Sequence, residues 1–395
     1  MNRIDSSQRD PRHYCPSLAA FRGFERVLSS KLEELMRDLT GLESSVESAH
    51  EVSALFQHLQ EYVMRPGKRI RAYFCLLGHS LVREQPTMTE PVVRFGAAIE
   101  MLHAFLLIHD DIADRALTRR GRPALHVSLR TCVGGASEGD RVRVGNDLAT
   151  IAGDVLYTAA LQAMLDAPGF EQHRSAKALA EILSACRAAG VGQCLDIALS
   201  ARPLGSVAPA EVLELDRLKT ALYTLEGPLL AGVHLSDAPP ETALALRRYC
   251  RAAGVAFQVQ DDLFALFADD EDWGKPGLAD LREAKKTWPL VVGYQQSTAA
   301  ERRWLEELLR NRAADRHDLA QVRRILRATG ALERTLELIA GYCADAERAL
   351  DAIRDTQVVS ELRAFNEWLR VRCDFIGCSE SGLEPSVAVQ RMHGS

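Results

Sequence analysis

The chain is poor in aromatic residues, 6% of 395, and no stretch alternates apolar and polar residues convincingly enough to read as a strand. That argues against a sandwich or barrel. Glycine and proline are scattered and form no linker. Nine cysteines, an odd number with no CxxC pair, argue against a disulfide framework or a zinc site. Cys186 and Cys194 fall on an Ala-rich helical stretch, where thiols behave as small apolar side chains. There is no basic excess: the net charge of -6 speaks against a nucleic-acid surface. No apolar run approaches the roughly 20 residues that span a bilayer, so no transmembrane segment is expected. Residues 1–16 are polar and lack the apolar centre of a signal peptide. The expectation is a reduced, cytoplasmic protein. Its single domain covers residues 17–378, with mobile tails at 1–16 and 379–395.

What is present is helix, almost throughout. Leu32, Leu35, Met36 and Leu39 recur at three-to-four spacing with charges between them. Residues 95–108 are apolar nearly all round, as in a helix buried at a bundle centre. Further helical runs cover about 146–166, 174–200, 208–235, 240–268, 299–312, 317–327, 329–355 and 358–372. Ala, Leu, Arg and Glu dominate them, all good helix formers. Breaks are expected at Pro66-Gly67, Pro168-Gly169, Pro239-Pro240 and from Gly274 to Gly277, and Gly134 to Arg143 reads as an exposed loop. The fold class is all-α.

Into these apolar helices the sequence sets two aspartate pairs. One lies in Leu106-Leu107-Ile108-His109-Asp110-Asp111-Ile112-Ala113-Asp114, the other in Phe257-Gln258-Val259-Gln260-Asp261-Asp262-Leu263. Buried acids need cationic neutralisation. Mg²⁺ is commonly shared between one or two carboxylates and substrate phosphates. Two such pairs facing each other across a helical cavity would make a Mg²⁺-diphosphate site. Asp110 and Asp114, four residues apart, share a helix face with Asp111 beside them. Arg119-Arg120-Gly121 follows, and arginine matches phosphate oxygens with a planar fork of donors. Lys68 and Arg71 share a face near a helix start after Pro66-Gly67, a natural anion site.

These segments, in this order, resemble the trans-isoprenyl diphosphate synthases, the polyprenyl synthetase family. The resemblance runs from about residue 55 to 295. It includes GKRIR at 67–71, HDDIADRALTRRGRP at 109–123, AGD at 152–154 and GQCLD at 192–196. It continues through KTALYT at 219–224, FQVQDD at 257–262 and GKPGLADLREAKKT at 274–287. It implies an isoprenoid synthase-type helical bundle around a central cavity, assembled as a homodimer. The implied activity is Mg²⁺-dependent head-to-tail condensation of isopentenyl diphosphate with an allylic diphosphate. It further implies metal binding by Asp110, Asp111, Asp114, Asp261 and Asp262. Arg119 would grip the allylic diphosphate, and Lys68, Arg71, His103 and Arg120 the isopentenyl diphosphate. Lys219, Thr220 and Gln258 would lie near the reacting carbons, and Lys275 and Lys285 on a closing loop. Gln193 and Asp196 would stand behind the site.

The sequence departs from the family pattern at Ala265, where the second motif usually carries a third aspartate. Readings that use this departure are a class I terpene cyclase and a non-catalytic subunit of a heteromeric synthase. The cyclase pattern fits poorly at Ala265 and Asp269. Non-catalytic subunits typically lose the first motif or its arginines, which this chain keeps. Phe105 and Leu106, five and four residues before Asp110, face the space into which the product grows. A single aromatic there resembles geranylgeranyl-type synthases, with farnesyl and geranylfarnesyl diphosphate as alternative products. Helices after about residue 298 carry no recognised motif and are expected to complete the bundle and support the dimer.

Overall fold

Helical periodicity in the sequence becomes helix in the structure. A computed structural model describes residues 18–40, 50–83, 86–132, 137–236, 238–267, 278–354 and 356–378. The chain forms two units. One comprises Leu18–Leu183 and Pro228–Ala238; the other includes Ser184–Gly227 and the described residues from Pro239 onward.

The first unit contains α1 (Leu18–Thr40), α2 (His50–Met64), α3 (Ile70–Ser80), α4 (Glu90–Ala113), α5 (Leu125–Ser128) and α6 (Glu138–Leu165). In α1, Leu28, Leu32, Leu35, Met36 and Leu39 are buried along one face. The start of α4 is favoured by Glu90 in its first turn and by proline there. Being apolar all round, α4 is buried for most of its length and packs on α1, α3 and α6. Two polar side chains, Glu100 and Asp111, go inside with it. Each acquires a cationic partner, as buried charges must.

The loop expected from Gly134 to Arg143 is shorter than that reading. Residues 133–136 lie outside the described ones, but α6 already begins at Glu138. Ser137 caps it, its hydroxyl accepting from the Asp140 amide at 3.2 Å, with Glu138 and Asp140 in the first turn. The sequence also hid a strand pair. Thr118–Arg119 (β1) and Arg122–Pro123 (β2) pair antiparallel. Two residues per strand are too few to show alternation. The turn is legible afterwards: Arg120 (φ 55°) and Gly121 (φ 71°) both take positive φ, as a two-residue hairpin turn of type I′ requires.

The membrane expectation also needs correction. By length and composition α4, α6 and α7 (Gln172–Ser200) are each apolar enough to cross a bilayer. Isolated charges punctuate their otherwise apolar windows. The window in α4 is 67% buried against protein, which fits a core helix.

In the second unit the run expected at 208–235 is divided. It comprises α8 (Pro209–Asp216), a π-helical segment (Arg217–Glu226) and α9 (Gly227–His234), whose last residues belong to the first unit. Then come α10 (Pro240–Phe267), α11 (Ala279–Arg282), α12 (Trp288–Gln296), α13 (Ala299–Asn311), α14 (Arg316–Ala328), α15 (Ala331–Leu350) and α16 (Gln357–Cys378). Reciprocal capping boxes, Thr298 with Glu301 and Asp315 with Asp318, fix the starts of α13 and α14. Helix α10 is the centre of this unit: Leu246, Tyr249, Ala253, Ala256, Val259 and Leu263 are buried, and it packs on the π segment, α15 and α16.

Candidate active site

The first acidic motif occupies the last turn of α4. Asp111 is fully buried, and both its oxygens are taken by protein donors. The Tyr62 hydroxyl donates to Oδ2 at 2.7 Å and Arg119 Nε donates to Oδ1 at 2.7 Å, with Arg119 Nη2 on the same oxygen. Asp111 therefore anchors Arg119. Arg119 Nη2 also reaches Asp110 Oδ2 at 3.4 Å. Burial opposes the charge on Arg119, but Asp111 and then Asp110 outweigh it, and its pKa is raised. Burial, then Asp111, pushes the Tyr62 phenol up, so it stays a donor. Asp110 and Asp114 are partly exposed at the helix end.

The hairpin turn sets the two arginines apart. Arg119 points to the aspartates, while Arg120 Nη1 donates to the Arg65 carbonyl at 2.8 Å. Arg65 is clamped by Glu61 four residues earlier, at 2.7 Å, and donates to the Arg119 carbonyl at 3.2 Å. Gly67 lies close under this guanidinium: a Cβ there would come 2.7 Å from Arg120 Nη2, so any larger residue would make that arginine shift. The sequence reading found the arginines but missed Glu61, Tyr62 and Arg65. An available signal was the i,i+4 pair Glu61–Arg65 just before GKRIR.

That basic segment divides by role. Arg69 turns inward with φ 47°, pairs with buried Glu100 at 3.1 Å and donates to the carbonyls of Val63 and Arg65. Lys68 is exposed, and Arg71 Nη1 lies 3.1 Å from His103 Nε2. Burial, then the positive charge of Arg71, drives the His103 pKa well below its usual value. The ring is therefore neutral, and its Nε2 accepts from Arg71. Desolvation and then Arg69 lower the Arg120 pKa. His103, Arg69, Arg119 and Arg120 line one cavity. Glu100 lines the same cavity and pairs with Arg69, and Arg119 is held by Asp111, which leaves Arg120 as the cation there without an acidic hydrogen-bond partner among the described residues.

Phe105 turns towards α6, its ring centroid 5.1 Å from Tyr157 and 4.7 Å from His109. Gly153 makes room for this contact; a Cβ there would come within 2.6 Å of His109 Nε2. Leu106 is half-buried.

In the second unit the three residues expected near the reacting carbons come together. Thr220 Oγ1 donates to Gln258 Oε1 at 2.7 Å, and Gln258 Nε2 donates to Asp262 Oδ1 at 2.7 Å. Lys219 Nζ donates to Asp196 Oδ2 at 2.7 Å. The backbone carrying Lys219 and Thr220 is the π segment, pressed between two glycines. A Cβ on Gly192 would sit 2.7 Å from the Lys219 nitrogen, and one on Gly254 2.5 Å from Ala221 Cα. Isolated π turns mark functional sites disproportionately. Asp216, at the end of α8, was not anticipated. It is buried, and burial followed by Asp196 raises its pKa well above normal. Burial and then Asp216 do the same to Asp262.

Asp261 differs from Asp262. Its Oδ1 is buried yet accepts no hydrogen bond among the described residues. An oxygen without a hydrogen-bond donor, 3.7 Å from the Arg372 guanidinium and on a side chain 30% exposed, suits a hard cation. Among the described residues no three His, Cys, Asp or Glu side chains form a metal cage. Mg²⁺ needs none, because substrate phosphates complete its shell. Lys285 pairs with Glu283 at 2.7 Å and Asp280 at 3.4 Å. Its neighbour Lys286 is buried and donates to the Ala284 carbonyl at 3.0 Å, so of the two only Lys285 is in a position to reach a ligand. Lys275 and the break at 274–277 lie outside the described residues.

Comparison with known proteins gives the family. The chain is 28% identical over 351 residues to the short chain isoprenyl diphosphate synthase of Methanothermobacter thermautotrophicus, covering 89% of this chain and 97% of that one. It is 35% identical over 237 residues to the geranylfarnesyl diphosphate synthase of Natronomonas pharaonis, covering 56% and 63%. It superposes with TM-score 0.77 at 26% identity on the Corynebacterium glutamicum geranylgeranyl pyrophosphate synthase complexed with isoprenyl diphosphate and magnesium, covering 87% and 98%. The polyprenyl synthetase profile matches residues 52–326. The chain therefore belongs to the polyprenyl synthetase family and is a trans-prenyltransferase.

Proposed function

We propose that this chain condenses isopentenyl diphosphate with an allylic diphosphate and releases geranylgeranyl diphosphate as its main product. The observation that carries the reading is the cluster of Arg71, neutral His103 and Arg120, held apart from the aspartates that bind Arg119. It gives the first unit a second anion site, which a cyclase acting on one diphosphate does not need.

Asp110 and Asp114 would hold Mg²⁺ on the allylic diphosphate, and Asp261 of the second unit offers an oxygen of the same kind. Bound there, the metal neutralises charge that develops on the leaving diphosphate. Arg119 adds fixed donors to the same charge, the kind of preorganised stabilisation that dominates such reactions. Thr220 and Gln258 offer oriented dipoles near a cationic centre. Their mutual hydrogen bond fixes the direction of both. No side chain is assigned as base; the departing diphosphate takes the proton.

Product length is the finer part of the proposal. Phe105 against Tyr157 supports a floor for the growing chain. The short-chain, geranylgeranyl and geranylfarnesyl synthases to which the chain is similar bracket the same range. The chain is also proposed to act as a homodimer. Large apolar side chains stay exposed on α6 (Ile151 and Leu165) and on α7 (Val191 and Ile197).

The test is a product assay. Purified chain, Mg²⁺, isopentenyl diphosphate and farnesyl diphosphate are incubated, and the products are dephosphorylated and sized by mass. A 20-carbon alcohol is expected. Longer alcohols would discard the floor and keep the chemistry; absence of elongation would overturn the condensation.

A further inference from the structure

The C-terminal helix α16 showed no motif in the sequence, yet it delivers a charge to the second acidic motif. Arg372 is fully buried, and its Nη2 lies 3.7 Å from Asp261 Oδ1. Its guanidinium is fixed on several sides. Nη1 donates to Gln260 Oε1 at 3.0 Å, and the plane stacks 4.1 Å from the Phe264 ring centroid and 4.9 Å from that of Trp368. Gln260 is itself locked, donating to the Leu369 carbonyl at 2.5 Å. At 0% exposure Arg372 cannot touch substrate and must act through Asp261.

The distance matters. At 3.7 Å the ion pair is longer than a normal hydrogen bond, so Arg372 offsets the charge of Asp261 while holding its oxygen only loosely. Ala265 removes a further acid from the same helix face. The second motif thus keeps its ligand oxygen but loses much of its pull on a free cation.

We propose that Arg372 is a positioning residue that keeps Asp261 too weak to take a divalent ion alone, so that metal enters there already bound to diphosphate. This rests on the diphosphate reading of the site. A unit charge about 6 Å from a divalent ion changes its affinity roughly tenfold even at the dielectric constant of water.

Mn²⁺ binding to the full chain, followed by electron paramagnetic resonance without diphosphate, tests it. Wild type and Asp261→Asn should give the same isotherm. Arg372→Gln should gain binding about tenfold tighter that disappears in Arg372→Gln/Asp261→Asn, and Arg372→Lys should behave as wild type. Inorganic diphosphate should narrow the gap between Arg372→Gln and wild type. A folded Arg372→Gln chain with the wild-type isotherm overturns the proposal. If that variant fails to fold, Arg372→Met/Gln260→Leu carries the same expected tightening, because it removes both hydrogen-bond partners together. The isotherms do not depend on turnover. An inactive chain that shows the difference defeats the condensation reading and upholds the role of Arg372; an active chain without it does the reverse.

Discussion

At the residue scale, charge and burial decide most roles. His103 is held neutral by burial and by Arg71, with its pKa far below the 6.5 it takes when unfolded. The unfolded chain therefore binds a proton that the folded chain refuses. This contribution to stability is intact above pH 6.5 and is lost as pH falls from there towards the depressed value, by up to about 1.4 kcal/mol per pH unit. Thermal melts from pH 7.5 to 5 should show this slope, and His103→Gln should flatten it. Phe105 poses a question of size. Phe105→Ala should lengthen the main product, read as heavier alcohols by mass; an unchanged distribution would mean that the ring packs only against Tyr157. What the sequence could pick out were the aspartate pairs and the arginines, because their candidacy depends on residue type. It could not name Tyr62, Arg65 or Arg372, since ordinary side chains become anchors only once distant segments meet.

At the element scale, helices were legible because their apolar spacing repeats over many turns. The hairpin was not, with two residues per strand, nor was the π segment, whose composition is that of any helix. What sets the π segment apart lies on its neighbours, Gly192 and Gly254, which admit its backbone at distances that a side chain would forbid. Gly192→Ala should force the Lys219 backbone away. Overpacking of this kind costs about 1–3 kcal/mol. The expected result is a lower melting temperature and a fall in kcat of about tenfold or more, with KM for isopentenyl diphosphate changed much less. A steady-state comparison of the two constants checks it.

At the scale of the whole molecule, exposed apolar surface is the observation that asks for a partner. Ile151 is 60% exposed on a helix otherwise rich in small residues. Single exposed apolar residues are ordinary, so the proposed homodimer is tested by substitution. Ile151→Glu should shift sedimentation towards the monomer, whereas an unchanged coefficient would remove α6 from the contact. The helices themselves carry one more implication. The first acidic motif ends a 24-residue helix buried for most of its length, and the second lies in the last two turns of a 28-residue one. Their carboxylates are thus fastened to long helices and not to a loop with its own lower threshold. Warming should spare their spacing until those helices themselves give way, whereas the arginines of the hairpin have no such support.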